Sequence, residues 1–77
     1  MPLTPALCRA ARALLAWSQE DLVARSKITK KTIADFERGA TEPRHRTLAQ
    51  IKAAFEAAGI EFLNGSRPGI RRATLDR

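Results

Sequence analysis

The chain has one cysteine, one histidine, one tryptophan and no tyrosine among its 77 residues. A lone thiol, Cys8, forms no internal disulfide, and one histidine beside it makes no zinc knuckle. No glycine-rich phosphate loop occurs, and no nucleophile stands in a pattern with a base, so an enzyme is not expected. No apolar run approaches the roughly 20 residues that span a bilayer. The start lacks a positive segment followed by an apolar block, so no secretory signal is read. The expectation is a cytoplasmic protein with no membrane partner, no metal and no cofactor. Without tyrosine there is also little to build an aromatic platform for single-stranded bases.

What is present suits a small folded domain. Seventy-seven residues allow one domain and bury only about 60–65% of the unfolded surface. Total stability is then about 4–12 kcal/mol, and a deep catalytic cleft would consume much of such a core. Hydrophobic residues make up 44% of the chain, too many for a disordered segment. Fourteen Lys and Arg against eight Asp and Glu give a net charge of +6, which favours a polyanionic partner.

Four helices are predicted. Thr4 and Pro5 open the first, whose Leu7, Ala11, Leu14 and Leu15 recur at helical spacing through about Ala16. Ser18 with Asp21 three residues on forms a short capping box for a second helix over Gln19–Ser26, which buries Leu22 and Val23. Thr29 caps a third helix, Lys30 to Arg38, and Gly39 is its expected closing glycine. A polar loop over 39–46 leads to a fourth helix from about Thr47 to Ala58, with Leu48, Ile51 and Phe55 inward. Such short helices and connections make a compact all-α four-helix bundle. Beyond it, Ile60, Phe62 and Leu63 read as a strand, Asn64-Gly65 and Pro68-Gly69 as turns, and Ile70 as a further apolar position. A short hairpin, a strand lent to a second subunit and a frayed tail all fit. The expected division is 1–63 for the domain and 64–77 for a short extension.

The third helix carries the chemistry. At about 100° per residue, Ile33 and Phe36 turn inward while Lys30, Lys31, Ala34, Asp35 and Arg38 fall on the opposite arc. Lysines in a first helical turn oppose the helix dipole at a cost of about 0.3–1 kcal/mol each. A negatively charged partner removes that conflict, and lysine donates well to guanine O6 and N7 in a major groove. Ala34 is small enough to let the helix sit deep and to touch a thymine methyl. Asp35 either accepts from cytosine N4 or repels phosphate. The aromatic residues Trp17, Phe36, Phe55 and Phe62 read as core, and Cys8 as an inert core thiol.

The run SQEDLVARSKITKKTIADFERG, 18 to 39, resembles the helix-turn-helix of the lambda-repressor/Cro (XRE) family. The likeness extends upstream through ARALLAWSQEDL and downstream through PRHRTLAQIKAAFEAAGIEF, covering about residues 5 to 63. It implies a transcriptional regulator that binds a double-stranded DNA operator, with base reading by Lys30, Lys31, Thr32, Ala34 and Asp35. Phosphate contacts are expected from Ser18, Gln19, Lys27, Thr29, Arg38, Arg44 and Arg46, and the resemblance implies a structural ion pair between Arg12 and Glu37. His45 is read as a surface or phosphate-contacting residue. Lys27 departs from the family pattern, which has glycine in the turn. Either the turn differs here, or Lys27 offsets about 1–2 kcal/mol of strain by contacting phosphate. Ser26 also departs, standing where an apolar side chain is usual.

One recognition helix reads few base pairs, so a homodimer on successive major grooves, about 34–36 Å apart, is expected. Phe55, Ile60, Phe62, Leu63 and Ile70 are its expected pairing surface. Repression is the role the kinship suggests, with phage or mobile-element regulators the nearest analogy. The other partners left open are RNA polymerase and an antagonist protein. The rival reading is an antitoxin-like or adaptor protein that chiefly binds a protein partner, although few residues follow the fourth helix to wrap one.

Overall fold

In the computed structural model, residues 3–63 and 69–72 are described. They form α1 (Pro5–Leu15), α2 (Gln19–Ser26), α3 (Lys30–Glu37), α4 (His45–Ala57), β1 (Ile60–Leu63) and β2 (Gly69–Arg72). Thr4 caps α1 by accepting from the Leu7 N–H at 3.1 Å. Ser18 and Asp21 form both arms of the capping box on α2, at 3.0 and 2.9 Å. The third helix ends on Arg38, then Gly39 at φ 76°. The N–H of Gly39 donates to Phe36 O at 3.0 Å and that of Ala40 to Asp35 O at 2.8 Å, a Schellman closure that uses the glycine's freedom at positive φ.

Helix α4 begins at His45, two residues before the position expected from Thr47. Arg44 stands at its N-cap and supplies no side-chain hydrogen bond, so no local polar signal marks the true start.

The core joins Leu3, Cys8, Ala11, Leu22, Ile33, Phe36, Ile51, Phe55 and Ile60. Trp17 is half-buried and stacks on Phe55, with ring centroids 5.7 Å apart, and Phe55 also meets Phe62 at 6.3 Å. Leu14 is 43% exposed, because it lies one residue, about 100°, round α1 from Leu15.

The segment after α4 is an antiparallel hairpin, with Ile60 opposite Arg72 and Phe62 opposite Ile70. The boundary expected at residue 63 therefore falls between two paired strands. Residues 64–68, where the Asn64-Gly65 turn was expected, lie outside the described residues. Strand β2 packs against α1, and β1 against α4. This placement corrects part of the expected pairing surface. Phe55 is 0% and Ile60 2% exposed, since a chain of this size needs both to close its own core. Phe62 and Ile70 are half-buried, and Leu63 is exposed at 37%.

Candidate nucleic-acid interface

The turn from α2 to α3 is set by Lys27, which is left-handed at φ 64°, ψ 22° and donates its N–H to Val23 O at 2.9 Å. The turn thus keeps the left-handed conformation that the glycine of the family pattern would adopt. Ser26 is buried and its polar groups are satisfied. Its hydroxyl donates to Leu22 O at 2.7 Å and accepts from the Ile28 N–H at 3.2 Å. Gln50 of α4 donates to the Ser26 carbonyl at 3.0 Å. The serine hydroxyl thus joins the end of α2 to the turn, and its backbone carbonyl receives the bond from α4.

From this turn α3 projects with Ile33, Phe36 and Glu37 buried and with Lys30, Lys31 and Arg38 exposed. Thr29 caps it by accepting from the Thr32 N–H at 3.3 Å, and the Thr29 and Thr32 hydroxyls meet at 3.0 Å. Ala34 and Thr32 are half-buried between the two faces.

Glu37 anchors α3 to the rest of the domain. Its carboxylate accepts from Arg12 Nε at 2.8 Å and Nη2 at 2.7 Å, a bidentate pair with side chains 20% and 4% exposed. Gln19 Nε2 donates to it at 3.1 Å and the Cys8 thiol at 3.1 Å. Arg9 caps the Glu37 carbonyl. Burial pushes the Glu37 carboxyl up, but the hydrogen bonds from Arg12, Cys8 and Gln19 outweigh it and hold the group below the usual range. The same burial, with the carboxylate beside it, drives the Cys8 thiol far above the ordinary thiol range, so Cys8 stays protonated and inert. Gln19 thus spends one amide donor on α3, which leaves its second amide hydrogen for an outside acceptor.

The expected reader Asp35 is occupied. One oxygen accepts from Lys31 Nζ at 3.0 Å and the other from Arg38 Nη2 at 2.8 Å, with the side chain 14% exposed. Lys31 first and Arg38 second lower its carboxyl below the usual value. The structure therefore places Asp35 as the brace between two exposed cations. Lys30 is paired too, with Glu20 at the start of α2, and that contact lowers the Glu20 carboxyl. Sequence reading assigned no role to Glu20, Arg9 or Gln50. The periodicity of one helix carries no record of contacts 10, 28 and 24 residues apart.

Lys27, Arg44 and Arg46 are exposed and make no ion pair among the described residues. Arg44, His45 and Arg46 gather at the start of α4, where outward N–H groups add partial positive charge.

A capped helix, a tight left-handed turn and a braced second helix bearing outward cations define a helix-turn-helix protein of the DNA-binding class. A family model described as helix-turn-helix matches residues 9–60. The chain belongs to this family, and is a DNA-binding regulator of the lambda-repressor/Cro-like type. No curated protein gives a significant match. No helix among the described residues is long and apolar enough to cross a membrane.

Proposed function

We propose that the chain is a sequence-specific repressor that binds a near-palindromic DNA operator as a homodimer, with α3 in the major groove. The observation that carries the reading is the outer arc of α3, where exposed Lys30 and Lys31 flank the small Ala34 on a helix braced through buried Glu37. Lysine ammonium groups at this position suit guanine O6 and N7, and Ala34 suits a thymine methyl. Gln19, Lys27, Arg38, Arg44 and Arg46 border that arc in the chain and supply phosphate contacts that fix register without reading sequence. Ser18 and Thr29 act as caps, and in this reading they hold the α2 and α3 N-termini towards phosphate.

The test is an anisotropy titration at two salt concentrations against DNA flanking the gene, with the Lys30→Ala/Lys31→Ala double variant alongside. The wild type is expected to bind one site with a steep salt dependence. The variant is expected to lose about 1–3 kcal/mol per contact on that site. Weak binding that ignores sequence and is unchanged in the variant would mean that α3 is not a reader.

A further inference from the structure

Both lysines at the front of α3 are tethered to carboxylates of the same chain, Lys30 to Glu20 and Lys31 to Asp35. The Lys30–Glu20 pair bridges the two helices of the motif, and its side chains are 58% and 64% exposed. Such an exposed pair contributes little to folding. Its consequence lies in what Lys30 can still bind.

An ammonium has three N–H donors, and the one engaged by Glu20 leaves two for an outside acceptor. A DNA duplex offers two kinds. A phosphate oxygen carries formal negative charge, whereas guanine O6 and N7 are neutral acceptors. A phosphate drawn onto Lys30 comes close to the Glu20 carboxylate, and like-charge repulsion there offsets much of the ammonium's attraction. A guanine edge meets no such opposition and fits the two remaining donors. The carboxylate also limits the swing of a four-carbon side chain that would otherwise follow any nearby phosphate.

We propose that Glu20 is a specificity-determining positioning residue: by holding Lys30 it converts an ammonium that would grip any phosphate into one that favours a guanine edge. Glu20 therefore lowers affinity for DNA in general and raises the ratio between the chosen site and the rest. The inference rests on the reading of α3 as the DNA-contacting helix.

The test uses the whole chain and a duplex recovered by selection from a random-sequence library with the wild type. That duplex and a scrambled version are titrated with wild type, Glu20→Gln, Lys30→Ala and the Glu20→Gln/Lys30→Ala combination. Glu56→Gln, an exposed position on α4, controls for the change in net charge. Thermal melts check that each variant is folded.

Glu20→Gln is expected to tighten binding to the scrambled duplex and to lower the site-to-scrambled ratio by roughly fivefold or more. Glu56→Gln is expected to move both affinities together and leave the ratio alone. In the Lys30→Ala background, Glu20→Gln is expected to leave the ratio unchanged. The proposal is overturned if Glu20→Gln tightens both duplexes equally, or if its effect on the ratio persists without Lys30. A wild type that selects no sequence removes the reading of α3, and this proposal with it, before any variant is needed.

Discussion

Arg12 and Glu37 hold α3 against α1 through a carboxylate that is only 4% exposed. Its carboxyl is held below the usual value by its hydrogen-bond donors, against the opposing influence of burial. A carboxyl depressed in the folded state adds stability that is fully present above its unfolded value, about 4.3. That contribution is lost as pH falls through the folded value. Removing Arg12 leaves burial opposed only by Cys8 and Gln19, so the folded value rises and the stabilising contribution shrinks. The wild type therefore loses more stability than the variant as Glu37 takes up a proton. Arg12→Ala should cost about 3 kcal/mol at neutral pH, the low end for a broken buried pair because Arg12 itself is partly solvated. Urea unfolding at a series of pH values should show the gap to the wild type narrowing below about pH 5. A gap that stays constant in acid would mean that Glu37 is not the charge left uncompensated.

Among the elements, α2 and α3 were legible to within a residue because each starts on a hydroxyl cap, Ser18 or Thr29, and α3 closes on Gly39. The start of α4 was not, because Arg44 gives no cap bond and Thr47 looks like one that could. The end of α1, expected at about Ala16, falls within a residue of it although no glycine marks it. Ala16 takes the left-handed conformation at φ 57°, with Trp17 N–H on Arg12 O at 2.9 Å, in a closure that usually advertises itself with glycine. In the site, the outer arc of α3 followed from helical spacing alone. The bracing by Glu20 and Gln50 depends on which helices meet, which spacing within one helix does not encode, whereas the pairs of Asp35 with Lys31 and Arg38 lie four and three residues apart along α3 and its cap. The turn itself offers a test. Lys27 holds a positive φ that costs a side-chain-bearing residue about 1–2 kcal/mol relative to glycine. The larger unfolded-state entropy of glycine returns part of that gain. Lys27→Gly should therefore raise stability by about 0.5–1 kcal/mol in chemical denaturation. If Lys27 also grips phosphate, the same variant should bind every DNA sequence more weakly, and its salt slope should fall by about one contact per chain. A variant that is less stable than the wild type would show that the lysine side chain holds the turn by a contact of its own.

At the scale of the whole molecule, the net charge of +6 pointed to a polyanion, while the tail was legible only as apolar residues between turn signals. Whether it pairs with itself, pairs with a second copy or frays depends on the partner that β2 finds, and α1 supplies the surface that β2 covers. With Phe55 and Ile60 committed to the core, the large apolar side chains exposed among the described residues are Leu63 and Leu14, with the half-buried Phe62 and Ile70 on β1 and β2. A dimer built on the hairpin should therefore depend on Leu63 and not on the residues beneath it. Leu63→Glu adds a charge at an exposed position, so it should leave the unfolding midpoint nearly unchanged while weakening self-association. On DNA, two chains of the wild type should occupy one full site, with half-sites about 34–36 Å apart. The variant should retain its affinity for an isolated half-site and lose the extra affinity that the full site confers on a linked pair. Sedimentation of free protein and of the DNA complex reads both quantities. A wild type that sediments as one chain in both states would end the homodimer reading. A Leu63→Glu variant that still pairs would instead place the interface on α1 around Leu14.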